Sequence, residues 1–423
     1  METYKLGTLC RIASSKRIFE SEYVDEGIPF VRGLEITDGR LFEPNAKFDC
    51  YISKERYEEL KAKYGIPVAG DILITAVGTI GNLAYLPRNI EFYFKDGNLI
   101  WFSNFAEKVD SKYLYFFMKS PFFYKQINYS LIGAVQKALT MDLLSKIEIP
   151  LPDLPTQKKI ADVLSCIDDK IALNNKTNTE LENMAKTIYD YWFTQFDFPD
   201  KNGHPYKTSG GQMVYNEILK REIPAGWEVK NILDCCKVID CLHSKKPDYC
   251  YEDENCYLLQ LENLIDLKLI DLTNKYYVSK KDYEIWTSKT KVKQGDLVVT
   301  NAGRVGGVSR IPSYIETGIG RNMTSIRPIN ISEYLLCYFF SSSDCDKQIR
   351  QNTDQGAFFQ SLNVKGIKKL NLTIPPKEIQ EKFDSLVGKI RLQIESNHKE
   401  NEELTKLRNY LLPLLMNGQI EVK

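Results

Sequence analysis

The stretch GDILITAVGTIGNLAYLP (Gly70–Pro87) aligns without gaps on GDLVVTNAGRVGGVSRIP (Gly295–Pro312). Gly70, Asp71, Thr75, Gly78, Gly81 and Pro87 return as Gly295, Asp296, Thr300, Gly303, Gly306 and Pro312. Most other positions exchange like for like, Ile72 for Leu297 and Ile74 for Val299. A repeat of this kind sets the architecture before any local reading does.

The match extends both ways. YISKERY (Tyr51–Tyr57) answers YVSKKDY (Tyr277–Tyr283), GAVQKALT (Gly133–Thr140) answers GAFFQSLN (Gly356–Asn363), and KIEIPLP answers KLNLTIPP. From Gly133 onward the offset is a constant 223, pairing Leu139, Pro152 and Gln157 with Leu362, Pro375 and Gln380. DILIT, LVVT and KIEIPL are short runs rich in branched residues and bounded by Gly or Pro, which predicts strands. KYLYFFMKSPFFYKQI and SEYLLCYFFSSSDCDKQI predict helices with aromatic faces. The fold class expected is therefore α+β, in two homologous copies.

The offset runs on into a seven-residue apolar column. Ile160, Ile167, Asn174, Leu181 and Ile188 form it in the first copy, and Phe383, Ile390, Asn397, Leu404 and Leu411 in the second. Val163, Met184 and Tyr191, then Leu386, Leu407 and Leu414, take d-type positions, with Leu164, Ile171, Ala185 and Trp192 beside the first set. Such a column predicts two long helices meeting in a coiled coil. Because a whole domain lies between them, the chain can return along the first helix, so antiparallel pairing is expected. Asn174 and Asn397 stand in the middle of each column, where a polar residue fixes register. Antiparallel packing should bring the two together, and Leu at both should stabilise the pair while loosening its register. Solvent-facing Asn residues are the plainer alternative. The boundaries that follow are a domain over 1–152, a long helix over 153–196, a linker over 197–222, a second domain over 223–376 and a second long helix over 377–423.

Composition narrows the function. The 423 residues are 43% hydrophobic and 26% charged, ordinary for a globular chain that buries real cores. No apolar run approaches the roughly 18 residues of a membrane span, and the start lacks a signal-peptide pattern, so a cytoplasmic location without membrane contact is expected. Basic and acidic residues balance at 56 each, and residues 1–150 alone carry 19 of each. Phosphate contacts dominate affinity for DNA, so a DNA-binding face has to be a local patch or be shared with a partner.

Catalytic patterns are missing. The three histidines, His204, His243 and His398, form no HExxH or triad-like motif, and GxSxG, Walker and dinucleotide-binding patterns are absent. No catalytic residue is expected. Cys235, Cys236, Cys241, Cys250 and Cys256 cluster around His243, but without a CxxC or CxxH pair reduced thiols are expected and no metal.

The sharpest candidate site is the doubled GxxG, Gly78–Gly81 and Gly303–Gly306, whose glycines permit close approach to a phosphate or base. A ligand-free hairpin turn explains them equally well. Thr79 in one copy stands where Arg304 stands in the other, Asn301 precedes the second motif, Lys95 and Asn98 answer Arg321 and Asn322, and Gln136 and Lys137 answer Phe359 and Gln360. Arg suits guanine and Asn or Gln suits adenine, whereas Lys more often holds phosphate. Thr79, Lys95, Gln136, Lys137, Asn301, Arg304, Arg321 and Gln360 are therefore the candidate DNA contacts.

Taken in order, IPLPDLPTQKKIADVLSCIDDKI, YDYWFTQFDFPDKNGHPYKTSGGQMV, REIPAGWEVKNI and the doubled GD…GxxG strand resemble the DNA-specificity subunit of Type I restriction-modification systems over nearly the whole chain. The resemblance implies two target-recognition domains, each reading one half of a split, asymmetric target in double-stranded DNA. It implies an antiparallel coiled coil as spacer, two modification (methyltransferase) subunits docked on the helices, and motor-nuclease restriction subunits beyond them. S-adenosylmethionine, ATP and Mg are then expected on the partners and no cofactor on this chain. The rival reading is a coiled-coil adaptor with two protein-binding domains and no DNA role.

Overall fold

The structure, a computed structural model, describes residues 2–43, 46–130, 138–301, 305–352, 354–355 and 360–422. The chain divides into two compact units, residues 1–171 with 403–423, and residues 172–402.

In unit 1, an antiparallel sheet runs in the order Arg11–Ala13, Leu99–Ser103, Ile72–Thr75, Leu83–Tyr85. In unit 2, the sheet Cys236–Asp240, Met323–Pro328, Leu297–Thr300, Val308–Arg310 has the same order. The registers agree: Ile72 faces Phe102 and Tyr85, and Leu297 faces Ile326 and Arg310. Both central strands are wholly buried, as a continuous apolar run covered on two faces should be. A second small sheet in each unit contains one parallel pair, Ile28–Val31 with Tyr93–Phe94 and Tyr257–Leu259 with Gly318–Ile319. A two-stranded antiparallel pair completes each unit, Glu2–Lys5 with Glu148–Leu151 and Glu228–Asn231 with Asn371–Ile374.

The short helices repeat with their caps. Ser53 and Ser279 accept from Arg56 N–H and Asp282 N–H, Asp110 and Ser332 from Tyr113 and Leu335, and Thr140 and Asn363 from Leu143 and Gly366. Each cap satisfies an otherwise orphaned backbone donor. The two aromatic segments are not single helices. Each breaks in two, Ser111–Met118 then Pro121–Ser130, and Glu333–Phe339 then Ser343–Asn352. Ser120 and Ser342 start the second piece by accepting from Phe123 and Cys345 N–H.

Two long helices span Leu154–Tyr189 and Lys377–Met416. Gln157 fastens the first to its domain, accepting from Asp110 N–H at 2.8 Å and donating to Lys108 and Pro152 carbonyls at 2.9 and 2.8 Å. Gln380 repeats this on Ser332 N–H and Pro375 O, both at 3.0 Å. The helices run antiparallel within each unit. In unit 2, Asn174, Asn178 and Glu182 meet Asn401, Asn397 and Arg391, and in unit 1 Asp168 meets Arg408 at 2.8 Å.

The seam differs from the expected one in its second column. Ile160, Ile167, Asn174, Phe383 and Asn397 are buried, and Leu181, Ile188, Ile390, Leu404 and Leu411 half-buried. Met184, Tyr191, Leu386 and Leu407, assigned to d positions, are exposed. The buried partners lie four residues on, at Leu164, Asn178, Ala185, Trp192, Val387, Ile394, Asn401 and Leu415. Apolar residues occur at both i+3 and i+4 in this sequence, so spacing alone did not select the column. The domain cores did: Leu164, Leu412, Leu415 and Met416 enter the core of unit 1, and Ala185, Trp192 and Val387 that of unit 2.

Asn174 and Asn397 come into one layer, each bonded not to the other but to a second Asn of the facing helix. Asn174 donates to Asn401 Oδ1 at 2.9 Å, and Asn397 donates to Asn178 Oδ1 at 2.8 Å. An offset of 223 carries the first bond onto the second, so four Asn form a layer that repeats the duplication of the sequence. All four are 2–8% exposed.

Candidate nucleic-acid interface

The end of the central strand gathers three loops in each unit. In unit 1, Ala76 N–H donates to Asn98 O at 2.8 Å and Leu139 N–H donates to Ala76 O at 2.9 Å. In unit 2, Asn301 N–H donates to Asn322 O and Leu362 N–H to Asn301 O, both at 2.8 Å. The strand end, the loop before the neighbouring strand and the tail of the GAVQKALT or GAFFQSLN segment are thereby stitched into one edge. Residues distant in sequence become neighbours: the 76–82 turn, 95–98 and 139 in one unit, and 301, 305–307, 321–322 and 360–362 in the other.

The first GxxG motif is a hairpin turn, and the backbone bonds that flank it recur at the described residues around the second. Thr75 N–H bonds Asn82 O at 2.9 Å and Gly81 N–H bonds Thr75 O at 3.0 Å, and Thr300 and Gly306 repeat this with Gly307 O and Thr300 O at 2.8 and 3.0 Å. Gly81, at φ +95°, also lies under Tyr124. A Cβ there would come within 2.9 Å of the ring, whose hydroxyl donates to Gly81 O at 2.9 Å. Gly306, at φ +76°, would press a Cβ to 3.2 Å from Ile349. The second glycine of each motif therefore answers to packing. Gly78, at φ +72°, has nothing within 4 Å of its missing Cβ and belongs to the open tip.

The candidate contacts fall as follows. Thr79 is exposed at that tip, and Arg321 is exposed beside Asn322, whose φ is +62°. Lys95 is half-buried, its N–H on Val31 O at 2.9 Å. Asn301 is half-buried and accepts from Thr324 Oγ1 at 3.0 Å through its side chain. Gln360 pairs with Gln355 through the backbone of a two-stranded turn. Gln136, Lys137 and Arg304 lie outside the described residues, as does the side chain of Gln360. The edge thus unites Asn301, Arg321 and the segment from Gln360 in unit 2, and places Thr79 at its rim in unit 1.

A further pair escaped the sequence reading. Arg32 stands just before the short helix Gly33–Thr37, its N–H donating to the Glu35 carboxylate at 2.8 Å, and Gln260 just before Leu261–Asn263, its N–H donating to Asn263 Oδ1 at 2.7 Å. Both follow the strand that pairs in parallel with the one leading to the edge. Arg32 donates to Glu35 at 3.0 Å and also pairs with Asp49. Asn82 Nδ2 ties this helix to the GxxG turn through Thr37 Oγ1 at 2.8 Å. The available signal was FVRGLEI against LLQLENL, a match too loose to register by eye.

Below the edge, Asp71 and Asp296 hold the turn before the central strand. Asp71 accepts from Val68 N–H at 2.9 Å and Trp101 Nε1 at 2.8 Å. Burial raises its carboxyl above the usual range, and those two donors oppose the rise. Asp296 accepts from Lys293 N–H at 3.0 Å and from Arg327 Nε at 2.8 Å.

In the Cys-rich stretch, ligand atoms of Asp240, Cys241 and His243 lie within 4.8 Å of one another. His243 Nε2 lies 2.7 Å from Asp240 Oδ2. Burial pushes the Cys241 thiol up, and that of Cys236 up to about 12, which keeps both protonated near neutral pH.

A family model described as the Type I restriction modification DNA specificity domain matches residues 1–183 and again 224–406. The chain is 27% identical over 357 residues to the MjaIX specificity subunit of a Type I restriction enzyme from Methanocaldococcus jannaschii, covering 84% of this chain and 78% of that protein. It is 25% identical to the HindI specificity subunit from Haemophilus influenzae, with 99% of each chain covered. The crystal structure of a Type I restriction-modification S subunit from M. genitalium superposes with a TM-score of 0.59 at 13% identity, over 98% of this chain and 95% of that one. No described helix is long and apolar enough to cross a membrane. With the family's domain present twice on two copies of one fold, the chain belongs to the Type I restriction-modification DNA specificity family.

Proposed function

We propose that the two units read the two halves of one asymmetric, bipartite target in double-stranded DNA, each through the loop edge at the end of its central strand. The chain's role is that of its family, DNA target recognition without catalysis of its own, within a Type I restriction-modification complex. One observation carries the assignment of the edge. The same backbone bonds build it in both units, yet it presents Thr79, Lys95 and Asn98 in one and Asn301, Arg321 and Asn322 in the other. A shared scaffold with different polar groups suits two readers of different bases. In this reading two modification subunits dock along the helix pair in the cytoplasm and bring S-adenosylmethionine, and restriction subunits bring ATP and Mg. Near-neutral charge fits a chain whose partners supply much of the phosphate contact.

Sequencing the methylated bases of cells with and without this gene tests the reading. Deletion should erase one bipartite N6-methyladenine motif and leave all others. An unchanged methylome in cells shown to express all subunits would refute it.

A further inference from the structure

The two main sheets agree in register but not in the chemistry at the end of their outer strands. Ile12 pairs with Phe102 and Phe102 with Ile72, as Val238 pairs with Ile326 and Ile326 with Leu297. Continuing that register, Ser14, Ser15 and Arg17 answer Asp240, Cys241 and His243. In unit 1 the two hydroxyls close the strand end onto backbone, Ser14 Oγ donating to Leu99 O at 3.3 Å and Ser15 Oγ to Phe94 O at 2.5 Å. In unit 2 the backbone takes over, with Cys241 N–H on Met323 O at 3.2 Å and Lys289 Nζ on Cys241 O at 3.3 Å. The turn is thus held without the carboxylate, thiol and imidazole that replace two hydroxyls and a guanidinium.

Those three groups converge. One ligand atom from each lies within 4.8 Å of the other two, close to the roughly 4–4.6 Å that two metal–ligand bonds can span. Asp240 Oδ1 is buried, and no N–H or O–H among the described residues donates to it. Such an oxygen is costly unless something positive satisfies it. Cys241 is 1% exposed. The His243 side chain is 68% exposed, so its ring can open from Asp240 to admit an ion without disturbing the core. Carboxylate oxygen, thiolate sulfur and imidazole nitrogen are the donors of zinc sites, and a thiolate disfavours magnesium and calcium, which take oxygen.

We propose that Asp240, Cys241 and His243 bind one divalent transition-metal ion of the zinc type, with a fourth position left to water. The sequence offers no CxxC or CxxH pair, and the strand-end carboxylate of Asp240 supplies the ligand that such a pair lacks. The thiolate is the ligand form of cysteine, so coordination sends the Cys241 proton to solvent. Unit 1 has no counterpart, because Ser14, Ser15 and Arg17 stand at the matching positions.

The test titrates the full chain, stripped of metal by chelation and kept reduced, with cobalt(II). One ion per chain is expected, with a sulfur-to-cobalt charge-transfer band in the near ultraviolet, release of one proton near neutral pH, and loss of the band when zinc(II) is added. Cys241→Ser should abolish the band. His243→Ala and Asp240→Asn should each weaken binding about tenfold or more. His243→Ala, at an exposed side chain, decides the matter should Cys241→Ser fail a circular-dichroism check of folding. No charge-transfer band at about 1 mM cobalt(II) overturns the proposal. So does a band that survives Cys241→Ser, or binding that His243→Ala leaves unchanged, since either places the ion on other cysteines.

Discussion

Arg391→Ala is expected to destabilise unit 2 by about 3–5 kcal/mol, the usual cost of stranding one partner of a buried ion pair. The Arg391 side chain is fully buried. Its Nη1 donates to Glu182 Oε2 at 2.9 Å and to Leu267 O at 2.7 Å, and its Nη2 donates to Lys268 O at 3.3 Å. Leu267 and Lys268 both adopt left-handed backbone, φ +57° and +58°, which costs free energy that surrounding contacts must offset. Lys268 and Tyr338 complete the set on Glu182. Removing the guanidinium therefore leaves a buried carboxylate short of a partner and releases a strained loop. Trp192 and Trp227 lie in the same core, so tryptophan fluorescence during denaturation reads the effect. Lys382→Ala, which breaks only the exposed Lys382–Glu378 pair, should leave the transition nearly unchanged. A loss under about 1 kcal/mol for Arg391→Ala would mean that the network does not hold the unit together.

The second large effect concerns the Asn layer. Leu at Asn174 and Asn397 together should destabilise the helix pair rather than stabilise it. Each substitution removes one half of a cross-helix bond and leaves Asn401 or Asn178 buried against a hydrocarbon, at about 1–3 kcal/mol per stranded group. Replacing all four Asn by Leu removes both halves of both bonds. That variant should recover the loss or exceed the parent's stability, while its register loosens. Melts of the double and quadruple variants give the order. Disulfide trapping of engineered Cys pairs at the parent register and one heptad away reads the register. A double variant more stable than the parent would contradict the bonding pattern.

Much of the fold was legible because the chain states it twice. Two copies of GD…GxxG at matched spacing give the duplicated domain, and the column from Ile160 to Ile188 gives the long helix. What stayed hidden was decided by tertiary contacts. Val163 and Leu164 are equally apolar, and only the core around Leu412 and Leu415 selects Leu164. Asn178 and Asn401 look like two more polar residues on a polar helix. Their seam role depends on which column turns inward. Arg391 reads as a solvated helix charge until Glu182 and the Leu267–Lys268 loop close over it. At the edge, sequence comparison found the segments that converge but not the bonds through Ala76 and Asn301 that join them, because backbone partners across more than 20 residues leave no local signature.

If the two units read their half-sites independently, exchanging one unit's recognition domain changes one half of the target and leaves the other. The direct test replaces residues 1–150 with the matching domain of another family member and sequences the methylated motif in cells supplying the partner subunits. The prediction is a hybrid target, one half new and the other half, with its adenine, unchanged. A target altered in both halves would rule out independent reading by the two units.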